Sequence, residues 1–150
     1  MNSWERFTAQ EGRGTAHNSV LLDTDVFSFL IKPDPIRAKI YLPHVRSKFI
    51  AISFVTIGEM LFGAAKKKWG PQKIVQLNHR LQSVVMLPYD FKLCVIYGDL
   101  KARLQNRGTP IADNDLWIAA CSVRHSIPLI SHNRRHFEVI PGLVLISEAP

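Results

Sequence analysis

Cysteine is almost missing from this chain. Only Cys94 and Cys121 occur among its 150 residues. They lie far apart in segments that read as helix, so neither a disulfide framework nor a Cys-x-x-Cys metal site can be built. They are expected to be buried, reduced thiols of a cytoplasmic protein. Long apolar runs are lacking too: no stretch reaches the roughly 18 consecutive apolar residues of a membrane-spanning helix. The opening MNSWERFTAQEGRGTAHN has no apolar segment of the secretory kind. It reads as a flexible leader, residues 1–18, ahead of one domain over 19–150. Acid is scarce relative to base, with 12 Asp and Glu against 19 Lys and Arg and a formal net charge of +7. That balance favours a polyanionic partner such as nucleic acid. Internal repeats and low-complexity segments are absent, and the length suits a single domain with a full core.

What is present alternates regularly. SVLLD (19–23), FIAIS (49–53), SVVML (83–87), IPLIS (127–131) and LVLIS (143–147) are short apolar runs that read as strands. Between them lie helical stretches. VFSFLIK is stopped by Pro33, and a second helix opens at Asp34-Pro35 with Asp34 as N-cap. FVTIGEMLFGAAKKK follows Ser53, another helix starts at Gly70-Pro71, a long one runs from Tyr89 or Asp90 to Arg107, and DNDLWIAACSVRH covers 113–125. Strands apolar throughout and joined by helices indicate a mainly parallel sheet covered on both faces, a three-layer α/β/α sandwich. Ligands of such sheets bind beyond the carboxyl ends of the strands.

Acidic residues stand at that edge. VLLDTDVF ends an apolar strand on Asp23 and Asp25, a pattern with two readings: a nucleophile with its acid/base partner, or ligands for a divalent metal. Glu59 sits in SFVTIGEMLFGAA among apolar and small neighbours, where a buried carboxylate needs a partner or a cation. PIADNDLWIAA puts Asp113 and Asp115 in the first turn of a helix. Asp113 suits an N-cap, which leaves Asp115 without a capping role. Asp23, Glu59 and Asp115 come from elements whose ends meet at one sheet edge, and converging carboxylates require cations. Hard oxygen ligands select Mg²⁺, with Mn²⁺ also suitable, over Zn²⁺. On a basic surface, the matching chemistry is metal-dependent phosphodiester hydrolysis.

LLDTDVF, ISFVTIGEMLFGA and PIADNDLWIAACSVRHSIPLISHNRRHF, in this order, resemble the successive signatures of PIN-domain nucleases, and most of all VapC-type toxins of toxin–antitoxin pairs. The resemblance spans about residues 19–146. It implies Asp23, Glu59 and Asp115 as metal-binding and catalytic acids, an RNA substrate, a cognate antitoxin and a homodimer. The family's fourth acidic or amide position falls on Asn133, an amide without charge, and His136 stands where relatives often have an acid. Ser53, Thr56, Asp25 and Asp113 are expected around the acids. Lys66, Lys67, Lys68, Arg134 and Arg135 are expected to meet RNA, and Trp69 to stack on a base or join the core. His132 and His136 also have the i, i+4 spacing of a zinc pair. Two other functions remain open here. One is a haloacid-dehalogenase-like phosphatase with Asp23 as nucleophile and Asp25 as acid/base. The other is a PIN-like domain that binds RNA without cutting it.

Overall fold

The computed structural model describes residues 18–32 and 34–150. The expected leader therefore lies outside the described residues, apart from Asn18, whose amide donates to the Ser47 carbonyl at 2.9 Å. Pro33, the expected helix stop, lies outside them as well.

Strands β1 (Ser19–Leu22), β2 (Phe49–Ser53), β3 (Val85–Leu87), β4 (Leu129–Ile130) and β5 (Leu145–Ile146) form one sheet in the order β3-β2-β1-β4-β5. Every pairing is parallel, and parallel neighbours need crossovers. Helices α1 (Thr24–Ile31), α2 (Pro35–Val45), α3 (Phe54–Lys66), α4 (Pro71–Gln82), α5 (Phe91–Asn106), α6 (Asp113–His125) and α7 (Arg134–Phe137) lie along the connections.

Side chains alternate across a strand, and here both sides are buried. Leu21, Ala51 and Leu129 point into a core completed by Leu93, Leu100 and Leu104 of α5 and Leu116 to Cys121 of α6. Val20, Leu22, Ile52 and Ile130 point the other way, onto Val26 and Phe27 of α1, Tyr41 of α2, Met60 of α3 and Leu77 of α4. The expected three-layer sandwich is thus present. Replacing Leu22, which is fully buried, by Ala is expected to cost about 2–5 kcal/mol. A urea midpoint unchanged in that variant would contradict this packing.

Local chemistry sets the helix starts. Asp34 accepts from Arg37 N–H ahead of Pro35, Ser53 from Thr56 N–H, and Asp90 from Leu93 N–H. Asp23 caps α1 by accepting from Thr24 N–H, so that helix begins two residues before the expected VFSFLIK. Between the last two strands, Arg134 and Arg135 open a single turn of helix, α7. The last two strands pair over only two residues each. Of the thiols, Cys121 is buried, with its pKa pushed up to about 12 by burial. Cys94 is exposed, against expectation, because α5 turns that position outward.

Candidate active site

Sheet register builds the site. Leu22 pairs with Ile52 on one side and Ile130 on the other. The next residue of each segment therefore falls on one rung at the carboxyl edge: Asp23, Ser53 and Ser131. All three are buried. The strand order reverses between β1 and β4, the switch point at which such sheets open a crevice. The crevice is a cleft of about 480 Å³ bordered by Asp23, Asp25, Glu59, Asp115 and Asn133 among others.

Asp23 is held from both sides. Its Oδ1 accepts from Thr24 N–H at 2.8 Å and its Oδ2 from the Ser131 hydroxyl at 2.7 Å. Burial, first of all, and then the Asp25 charge push its pKa up to about 7, with Asp115 adding to them; the Ser131 and Thr24 hydrogen bonds pull in the other direction. Asp25 is also raised by burial, opposed by the backbone N–H groups of Val26 and His132. Those contacts measure 2.6 and 3.1 Å and tie the start of α1 to the segment after β4. A buried acid and a half-buried one, with one residue between them and both pushed toward the neutral form, are a site short of positive charge.

Glu59 reaches the cleft from the second turn of α3. Its Oε1 accepts from the Thr24 hydroxyl at 3.0 Å, and its Oε2 from the Asn114 amide at 3.3 Å. Thr24 also touches Thr56 Oγ1 at 3.1 Å, and Thr56 in turn meets Ser53. A line of hydroxyls thus runs from the end of β2 to Glu59. Asp115 enters from the first turn of α6. Its Oδ2 lies 2.6 Å from His136 Nδ1, with the Asn133 amide 2.6 Å from the same ring nitrogen. Since a carboxylate only accepts, the imidazole hydrogen points at Asp115, and the Asn133 amide approaches the same nitrogen without being able to donate to it.

The donors facing the cleft are oxygens, the set a hard divalent cation takes and Zn²⁺ does not prefer. Among the described residues, no group of three or more His, Cys, Asp or Glu side chains is already gathered around one point. Glu59 and Asp115 are held by their neighbours rather than by each other. The donor chemistry fits a divalent metal such as Mg²⁺, whose charge would offset the buried Asp23 carboxylate and its neighbour Asp25.

Not every expected residue joins the cleft. Asp113 does not cap α6: the capping position is Ala112, without a side-chain bond. Asp113 turns instead to α5, where Tyr97 and Lys101 each reach it at 2.8 Å and hold its pKa below the usual range. The zinc pairing of His132 and His136 is not formed, because His132 Nδ1 bonds the Tyr41 hydroxyl at 2.7 Å while His136 bonds Asp115. Lys67 lines the cleft; Lys66 and Lys68 are exposed beside it. Arg134 holds the Ser147 and Ala149 carbonyls, and Arg135 is exposed. Trp69 packs partly on the core and also borders the cleft. Ser131 stands at the end of the apolar run IPLIS, at the edge where ligands of such sheets bind, whereas Thr24, Asn114 and Lys32 carry no sequence signal that marks them as neighbours of the acids.

These features define a parallel α/β domain with an acidic cleft at the carboxyl edge of its central strands. The PIN domain family model matches residues 20–143, and the chain belongs to that family. Ribonuclease VapC1 of Haemophilus influenzae (strain R2866) is 32% identical over 127 residues, 82% of this chain and 92% of the relative. The tRNA(fMet)-specific endonuclease VapC of Salmonella typhimurium is 28% identical over 129 residues, with the same coverage of 82% and 92%. Among solved structures, VapBC-1 from nontypeable Haemophilus influenzae superposes with a TM-score of 0.75 at 30% identity, covering 85% of this chain and 96% of that one. The phosphatase alternative falls with this membership. No helix among the described residues is long and apolar enough to cross a membrane.

Proposed function

We propose that this protein is a VapC-type endoribonuclease, the toxin of a toxin–antitoxin pair, which hydrolyses RNA phosphodiester bonds with the help of Mg²⁺. The observation that carries the reading is the shared cleft of Asp23, Glu59 and Asp115. PIN-domain ribonucleases generally use a divalent metal, and Mn²⁺ has the same preference for oxygen ligands. Asp23 and Asp115 are the residues that would hold the ion, with Glu59 beside them. When bound, such an ion lowers the pKa of water and offsets charge on a phosphoryl oxygen.

The chain's own groups have separable tasks in that reaction. Ser131 and Thr24 N–H fix the direction of the Asp23 carboxylate. Thr24 and Asn114 hold Glu59 at the rim, where it can orient water for in-line attack on phosphorus. His136 aligns Asp115. Asp25, Ser53 and Thr56 support these contacts from behind, and Asn133 offers a neutral amide in the same cleft. Lys67 and Lys32 border the acids and meet the phosphate charge. RNA is the substrate class and the cytoplasm the place of action.

The partners follow from the same reading. A cognate antitoxin would cover the cleft, and the chain would pair with a second copy. Tyr89 and Phe91 are 71% and 85% exposed near the start of α5, an apolar surface suited to burial in such an assembly. Incubating the purified chain with structured RNA is expected to give cleavage in Mg²⁺ or Mn²⁺ that EDTA abolishes. Binding without cleavage under every metal condition would leave only a non-catalytic RNA-binding domain.

A further inference from the structure

No acidic residue occurs between Glu59 and Asp90, while Lys66, Lys67, Lys68, Lys73, His79 and Arg80 all do. The fold concentrates part of that asymmetry in one place. A second groove of about 950 Å³ runs along α4, lined by Lys32, Lys73, His79 and Arg80 with apolar residues between, and no carboxylate borders it. Lys32 and Trp69 line this groove and the acidic cleft alike, so the two depressions adjoin at these side chains. Among the described residues, none of Lys32, Lys73 and Arg80 has a carboxylate partner. The Lys32 and Lys73 ammonium groups lie 5.6 and 5.7 Å from the Trp69 ring centroid. The indole is half-buried against the core, so its position is held by packing.

We propose that this groove is the path of single-stranded RNA leaving the acidic cleft, with the backbone on Lys73 and Arg80 and a base stacked on Trp69. The proposal rests on the ribonuclease reading and adds the track and the stacking residue to it. The chemistry is that of a strand-binding groove, in which cations follow the phosphates and an aromatic face accepts any base. The apolar lining alone would suit a peptide, but cations spaced along it with no carboxylate among the lining residues match a phosphate backbone. A duplex presents no free base face to Trp69, so a single strand is the occupant that satisfies both features. Lys32, at the junction, would meet the phosphate between cleft and groove.

The test measures binding apart from cleavage. Full-length protein in EDTA is titrated into a short, fluorescein-labelled single-stranded RNA across a salt series. Trp69→Ala is expected to weaken binding about 5- to 100-fold, the range for losing one stacked base. Trp69→Phe, which keeps an aromatic face and the core contact, should bind within about three-fold of the parent but lose the RNA-induced quenching of tryptophan fluorescence. The double variant Lys73→Ala/Arg80→Ala, on the surface of α4, should weaken binding and lower the salt slope by about 1.4, two phosphate contacts on a single strand. If affinity, slope and quenching are unchanged in these variants while the parent binds RNA and cleaves it in Mg²⁺, the groove is not the RNA path and is left to a protein partner. A parent chain that neither binds nor cleaves RNA would overturn this proposal together with the reading beneath it.

Discussion

Asp23→Asn is expected to remove RNA cleavage, by about a thousand-fold or more, while the protein remains folded and gains stability. The activity loss follows from replacing a charged oxygen ligand by a neutral amide; several kcal/mol of transition-state stabilisation correspond to three or more powers of ten. The stability gain has a separate cause. Asp23 is 5% exposed, and burial together with the Asp25 charge puts its pKa at about 7. At pH 8, without metal, the parent carries that buried charge at a cost its variant escapes. Thermal melts in EDTA at pH 8 should place the variant several degrees above the parent, and the difference should shrink at pH 5, where the folded parent is already protonated. Asp115→Asn should likewise lose cleavage. Full activity in both variants would show that these acids are not the reacting centre.

The second large effect is the linkage between pH, metal and stability. In the unfolded chain Asp23 titrates near 3.8, and in the folded chain near 7. Between those values the folded state binds more protons, so stability falls as pH rises through the window and levels off above it. At about 1.4 kcal/mol for each pH unit, the full fall is of order 4 kcal/mol; Asp25, shifted in the same direction, shares in it. A divalent cation that neutralises the cleft should reverse the loss at pH 7 to 8 and do little at pH 5. At a hundred times its dissociation constant it adds about 2.7 kcal/mol. Asp113 and Asp90 are shifted the other way by their cationic partners, so their contribution is lost only in strong acid and does not imitate this window. A melting temperature flat between pH 4 and 7 in EDTA, and unmoved by Mg²⁺ at pH 8, would contradict a carboxylate-held ion.

Much of the architecture was legible along the chain. Apolar runs without alternation announced a sheet buried on both faces, and Asp34, Ser53 and Asp90 marked helix starts that the structure keeps. DNDLWIAACSVRH is helical over its whole length, Asp113–His125. Such signals are local, set by propensity, capping and period within a few residues. The last two strands lie inside the expected apolar runs but pair over only two residues each, and α7, one turn between a strand and a loop, is too brief for a periodic pattern to declare itself.

The order of the acids along the chain determined by itself which residues to suspect, because Asp23, Glu59 and Asp115 each stand beside apolar sequence that must enter the core. Their partners were decided only by the tertiary structure. The Ser131 hydroxyl meets Asp23 across 108 positions, and Thr24 meets Glu59 across 35. Asp113 and Asp115, two residues apart on one helix, face opposite neighbours, since 200° of helical rotation separates them. A hydrogen bond of that range depends on parallel register and on how each helix is turned against the sheet, and neither is written in the residues on either side of it.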